Sequence, residues 1–184
     1  ALALDLSEVV VILPADAPGY ARALLARLEI ETLYTDQPVY GDIIAYDVEP
    51  WTAIRPVRRL WALSDTAQAR VTSVLPRGAQ LPRRVFLSRK DARRLRNEEE
   101  NETLLAARGF VKVYPETLPV EEQLALFQGA EAMVALHGAG LAPMLYRSQD
   151  AGPFPLVEIF PCSHMTTAFR AMAALMGYPW AGVR

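Results

Sequence analysis

The sequence predicts an α/β protein with a parallel sheet and helices on both of its faces. Three observations carry this. Between residues 84 and 176 segments of strand length and helix length alternate four times, and such alternation builds parallel sheets through crossover helices. The connections between these segments are short. Strand-length segments such as Ala132 to Leu136 are wholly apolar, as in strands covered on both faces, while glycine and proline punctuate the ends of the segments.

The elements follow in order. Glu8 to Leu13 is an apolar run stopped by Pro14 and reads as a strand buried on both faces. Pro18 opens a helical pattern through Tyr20, Leu24, Leu25 and Leu28, with apolar residues recurring at three and four. Extended segments are expected near Glu31 to Tyr34 and near Asp42 to Val48. A helix over Val57 to Val74 would carry Leu60, Trp61, Leu63, Ala67 and Val71 as its stripe. Arg77 to Pro82 reads as a connector.

Beyond it the pattern sharpens. Arg84 to Ser88 is a strand. Glu98 to Ala107 is a helix stopped by Gly109, with Asn97 as its expected N-cap. Phe110 to Tyr114 is a strand. Pro119 to Phe127 is a helix with proline at its start and Gly129 beyond its end. Ala132 to Leu136 is a wholly apolar strand, Leu141 to Tyr146 a short helix, Leu156 to Phe160 a strand, and Thr166 to Met176 a closing helix. Two units are therefore expected. Residues 1–80 form an N-terminal region plus a connector. Residues 81–184 form the ligand-binding unit.

Composition excludes several classes. The chain has 184 residues, 52% hydrophobic and 22% charged, with net charge −2. This is ordinary globular chemistry, and nothing global suggests a nucleic-acid binder. Residues 77 to 96 are strongly basic, with Arg77, Arg83, Arg84, Arg89, Lys90, Arg93, Arg94 and Arg96 against Asp91. A solvated face and peripheral contact with an anionic membrane surface are both open readings. The single cysteine, Cys162, excludes an intrachain disulfide and fits a reducing compartment. No apolar run approaches the about 20 residues that cross a bilayer. The Ala-, Leu- and Arg-rich composition points to a GC-rich bacterial source and to the cytoplasm, at the inner membrane face.

In a parallel sheet, ligands bind at the carboxyl ends of the strands. There this sequence delivers Ser88-Arg89, Pro115-Glu116, His137-Gly138-Ala139-Gly140, and Glu158 followed by Pro161-Cys162-Ser163-His164. The glycine turn lets backbone approach a ligand, and the helix after it offers N–H groups to phosphate. His137 either donates to a ligand, which makes it the candidate catalytic residue, or is hydrogen-bonded scaffolding. Arg89, with Arg93 or Arg94, would neutralise a pyrophosphate without a metal. Asn97 either contacts the ligand or only caps its helix. Glu158 lies between Val157 and Ile159. It would either accept from ribose hydroxyls or face solvent from an edge strand. His137, His164, Cys162 and Glu158 lack metal-ligand spacing. The Gly-x-Ser-x-Gly elbow, the Walker loop and the dinucleotide fingerprint are absent from the sequence.

In this order Phe86-Leu87-Ser88-Arg89, Arg93, Asn97-Glu98, Glu116, Gln123, Ala130, His137-Gly138-Ala139-Gly140-Leu141 and Val157-Glu158-Ile159-Phe160-Pro161 resemble glycosyltransferase family 61. That family includes bacterial capsular-polysaccharide-type, plant xylosyl- and arabinosyl- and animal N-acetylglucosaminyltransferases. The resemblance covers roughly residues 84 to 178, and residues 1–80 look like the end of the family's first domain. It implies a GT-B architecture of two Rossmann-like domains, with residues 1–80 as the end of an incomplete acceptor-side domain and residues 81–184 as the donor-nucleotide-binding domain. It also implies inverting, cofactor-free and metal-independent transfer of a hexosyl or pentosyl group from a nucleotide-sugar, commonly a UDP-sugar, to a glycan or polysaccharide. Ser88, Arg89, Arg93, Asn97, Glu116, His137, Gly138, Ala139, Gly140 and Glu158 become donor-site candidates. The family often continues the glycine turn with Thr-Asn, where this chain has Ala142-Pro143. The general base is not identified, although Asp16, Asp36 and Asp42 border expected strands. A non-catalytic nucleotide- or glycan-binding module of the same fold is the main alternative. An unrelated doubly wound enzyme and a membrane-contacting scaffold come after it.

Overall fold

The computed structural model describes residues 9–43, 65–78, 80–90, 94–161 and 166–184. Two parallel sheets form. Strands β1 (Val11–Leu13) and β2 (Thr32–Tyr34) flank helix α1 (Gly19–Arg27) and pair with each other. Helix α2 (Asp65–Ser73) follows. The larger sheet comprises β3 (Arg84–Leu87), β4 (Val111–Val113), β5 (Ala132–Leu136), β6 (Leu156–Ile159) and β7 (Trp180–Val183). Its spatial order is β4-β3-β5-β6-β7, parallel throughout. Helices α3 (Glu98–Ala106), α4 (Val120–Gly129) and α5 (Ala168–Leu175) connect these strands. Between β5 and β6 the chain runs instead through a 3-10 helix, Ala139–Tyr146.

The order matters for function. From β3 the chain steps outward to β4, then returns past β3 to β5. Crossovers of one hand running in opposite directions lie on opposite faces of the sheet. Side chains confirm this. Phe86, Lys112 and Val134 share one face by register. On that face Glu98 and Glu102 of α3 bond Ser88 and Lys112. Val85, Leu87, Met133, Ala135 and Leu156 share the other face, packed with Leu126 and Phe127 of α4, Leu141 and Met144 of the 3-10 helix, and Phe169, Met172 and Ala173 of α5. The outer flank of α4 receives the N-terminal elements, with Leu124 and Val71 packed against Leu24 and Leu28 of α1.

Several expectations are corrected. The first strand is not buried on both faces: Val10 and Ile12 are more than two-fifths exposed. The pairing that covers β1 is with a three-residue neighbour, too short to hide it. The short helix expected over Leu141 to Tyr146 forms as a 3-10 helix over Ala139–Tyr146, consistent with Pro143, which lacks an N–H, inside the run. Strand β7 was not expected, because Trp180-Ala181-Gly182-Val183 is short and carries a glycine. Its presence makes β6 an interior strand. The expected strand over Asp42 to Val48 and the helix start at Val57 lie in large part outside the described residues.

Candidate functional site

Between β3 and β5 the connections leave in opposite directions, and such a switch point opens a crevice at the carboxyl ends of the strands. A cavity of about 550 Å³ lies there. Its polar side is formed by Ser88, Arg89 and Glu116 together with the backbone of Gly138, Ala139 and Gly140. Its apolar side is formed by Tyr20 and Leu24 of α1, Leu124 of α4, and Pro143 and Tyr146.

Arg89 follows β3 and reaches the turn after β5, where its Nη1 lies 3.4 Å from the His137 carbonyl. Gly138 makes that approach possible. A Cβ built on Gly138 would fall 2.2 Å from Arg89 Nη1. Its backbone, φ 157° and ψ 174°, also lies in a region that only glycine adopts without strain. Gly140 is confined from the other side: its Cβ would stand 3.0 Å from Pro115 Cγ and 3.5 Å from Leu87 Cδ2. The two glycines therefore serve different neighbours.

The loops are tied together. Glu116 accepts from the Lys90 amide at 2.7 Å, joining the ends of β3 and β4. Ser88 is fully buried and its Oγ donates to Glu98 Oε1 at 2.6 Å. Tyr114 donates to the same oxygen at 3.2 Å. This network anchors the start of α3 to the ends of β3 and β4. In it Glu102 hydrogen-bonds the Lys112 ammonium and holds it above its ordinary pKa. Burial pushes the Tyr146 hydroxyl up in the same direction.

Two sequence candidates face elsewhere. Glu158 neither meets solvent nor reaches the cavity. It is fully buried, with Oε1 2.5 Å from His137 Nδ1 and Oε2 accepting from Trp180 Nε1 at 3.0 Å. Both oxygens are engaged inside the protein, one by His137 and the other by Trp180. His137 is nearly as buried, stacked on Phe160 with centroids 5.2 Å apart and meeting Phe169 edge-on at 5.6 Å. Its side chain is not among the cavity's lining groups, which favours the scaffolding reading of this residue. Asn97 also stays apart from the cavity. It makes no side-chain cap bond, and its backbone carbonyl accepts from the Asn101 side chain at 2.9 Å instead. Arg93, Cys162, Ser163 and His164 lie outside the described residues.

The basic run does not form one face. Arg77, Arg83 and Arg84 lie at or before the start of β3, while Arg89, Lys90 and Arg94 lie beyond its end. The sequence also missed contributors. Tyr20 and Leu24 come from the N-terminal helix, and Trp180 from the unexpected strand. Nothing in their local pattern marks them, because core packing and site lining share the same apolar residues. Among the described residues no helix is long and apolar enough to cross a membrane, and no group of three metal-ligating side chains assembles.

A family model described as Glycosyltransferase 61 matches residues 9–152, well over half of the chain. No curated protein matches it.

Proposed function

The chain belongs to glycosyltransferase family 61, and from that premise we propose that the cavity at the β3/β5 switch point holds the diphosphate of a nucleotide-sugar donor. One observation carries this reading. The Arg89 guanidinium and the Gly138–Gly140 backbone meet at a single edge of the cavity. A fixed cation beside glycine-turn amides is the chemistry that a leaving diphosphate needs.

In this reading the acceptor hydroxyl attacks the anomeric carbon from the face opposite the diphosphate. The new C–O bond forms as the bond to the phosphate oxygen breaks, and the anomeric configuration inverts. The hydroxyl proton passes to a general base, and the nucleoside diphosphate leaves with the bond's electron pair. Arg89 and the turn amides take the charge that a metal would otherwise carry. Glu116 is proposed to accept from a donor hydroxyl, being the one acid among the cavity's lining residues. The donor is proposed to be a UDP-sugar and the acceptor a glycan or polysaccharide. We extend the proposal to a GT-B arrangement in which residues 81–184 form the donor-side domain and residues 1–80 belong to the acceptor side.

UDP titrated into wild-type protein and Arg89→Ala by calorimetry tests the assignment. Binding by the wild type that falls at least tenfold in the variant is the expected result. Equal affinity would remove Arg89, and with it the site, from the donor.

A further inference from the structure

Behind the glycine turn the protein buries polar groups that the donor chemistry leaves unused. A carboxylate inside an apolar strand is costly unless each oxygen finds a partner. Glu158 meets that condition through His137 on one oxygen and Trp180 on the other. Trp180 stands opposite Leu156 in register, and its indole extends along the sheet to Glu158. The space for that indole is shaped. A Cβ on Gly182 would fall 2.6 and 2.9 Å from two indole carbons and 3.0 Å from Phe160. Gly182 is not among the glycines with positive φ, so room is what this position needs from glycine. Phe160 stacks on His137 and meets Trp180 edge-on at 6.4 Å. The indole thus touches both the carboxylate that holds the imidazole and the ring that stacks on it.

We infer that Trp180 is a positioning residue of the nucleotide site, acting through Glu158 to fix His137 and, with it, the backbone that faces Arg89. The inference rests on the donor-site reading above. A carboxylate held at one oxygen presents the other in one direction. An imidazole whose Nδ1–H is committed to that oxygen has one tautomer and one orientation. The His137 amide donates to the Ile159 carbonyl at 2.9 Å, so side chain and backbone are both tied to β6. The carbonyl of the same residue then meets Arg89. Trp180, Gly182 and Glu158 all lie beyond residue 152, outside the span that carries the family match. The support for the turn therefore comes from a part of the chain that the match does not reach.

The test uses Trp180→Phe, which keeps an aromatic ring against Phe160 and removes the N–H. The chain contains two histidines, His137 and His164, so imidazole nitrogen NMR is readily assigned with a His164→Gln control. In the wild type, Nδ1 of His137 carries a proton. In Trp180→Phe the His137 nitrogen signals move and UDP affinity falls about tenfold, the size typical of a coupled residue that does not itself touch the ligand. Gly182→Ala, which pushes the indole aside, shifts both readouts the same way. An unprotonated Nδ1 in the wild type overturns the inference without any variant. Loss of UDP binding in Arg89→Ala with none in Trp180→Phe overturns this inference alone. Unchanged binding in Arg89→Ala overturns the donor-site reading beneath it.

Discussion

The guanidinium of Arg89 occupies the volume that any side chain on Gly138 would need, since a Cβ there would lie 2.2 Å from Nη1. The turn after β5 and Arg89, two residues past the end of β3, are therefore one unit. An arginine can sit over that turn only while position 138 has no side chain.

Gly138→Ala should accordingly reproduce much of Arg89→Ala. The methyl group drives the guanidinium off the His137 carbonyl, and the backbone is strained as well, at a cost of about 1–3 kcal/mol. Calorimetry should show weakened UDP binding, and chemical denaturation a lower midpoint. A variant that binds UDP as the wild type does would show that Arg89 is not held by this contact.

Removing the buried carboxylate should be among the most damaging single changes. Glu158→Ala leaves the His137 and Trp180 N–H groups buried without their acceptor, a loss of about 3–5 kcal/mol. Glu158→Gln keeps the shape and one acceptor oxygen and should cost less. Urea unfolding of both variants decides it, and a cost below about 1 kcal/mol for the alanine would mean that the triad contributes little.

Arg147 offers a contrast at the opposite end of the sheet. It is nearly fully buried, and its guanidinium donates to the carbonyls of Phe127, Gln128, Ala151 and Gly152. It thereby closes the end of α4, and burial pushes its pKa down. A lysine has one ammonium for the work of a planar fork. Arg147→Lys and Arg147→Met should each lose about 2–4 kcal/mol of stability, while UDP affinity in the folded variants stays unchanged. Weakened UDP binding in a well-folded Arg147→Met would contradict this division of labour.

Alkaline pH should destabilise the protein through two groups that act alike. Burial raises the Tyr146 pKa, and the Glu102 hydrogen bond raises that of Lys112. A folded-state pKa above the unfolded value means a contribution that is full below the unfolded pKa and lost as pH climbs through the folded one. Both unfolded values lie near about 10, so stability should begin to fall there. In Tyr146→Phe the fall should be shallower between about pH 10 and 12. Identical slopes for wild type and variant would remove Tyr146 from the effect.

Much of the second half of the chain was legible before folding. Apolar runs such as Ala132 to Leu136, and the proline and glycine around α4, are local signals, and they placed strands and helices nearly where they stand. The strand-end residues Ser88, Arg89, Glu116 and Gly138 to Gly140 follow from the same reading, because chain direction in a parallel sheet decides which end they occupy. The sequence alone thus determined the α/β class, the parallel arrangement and the gathering of arginine and glycine at one edge. Tertiary structure decided the rest. Spatial order put β3 beside β5 and so opened the crevice, and no residue near either strand encodes that neighbour. The burial of Glu158 hangs on Trp180, 22 residues away, on a strand too short to declare itself. A carboxylate within an apolar strand has the same local pattern whether it faces solvent, a ligand or a buried indole. Only the partner across the sheet settles which desolvation cost is met, and pairing of that kind is non-local.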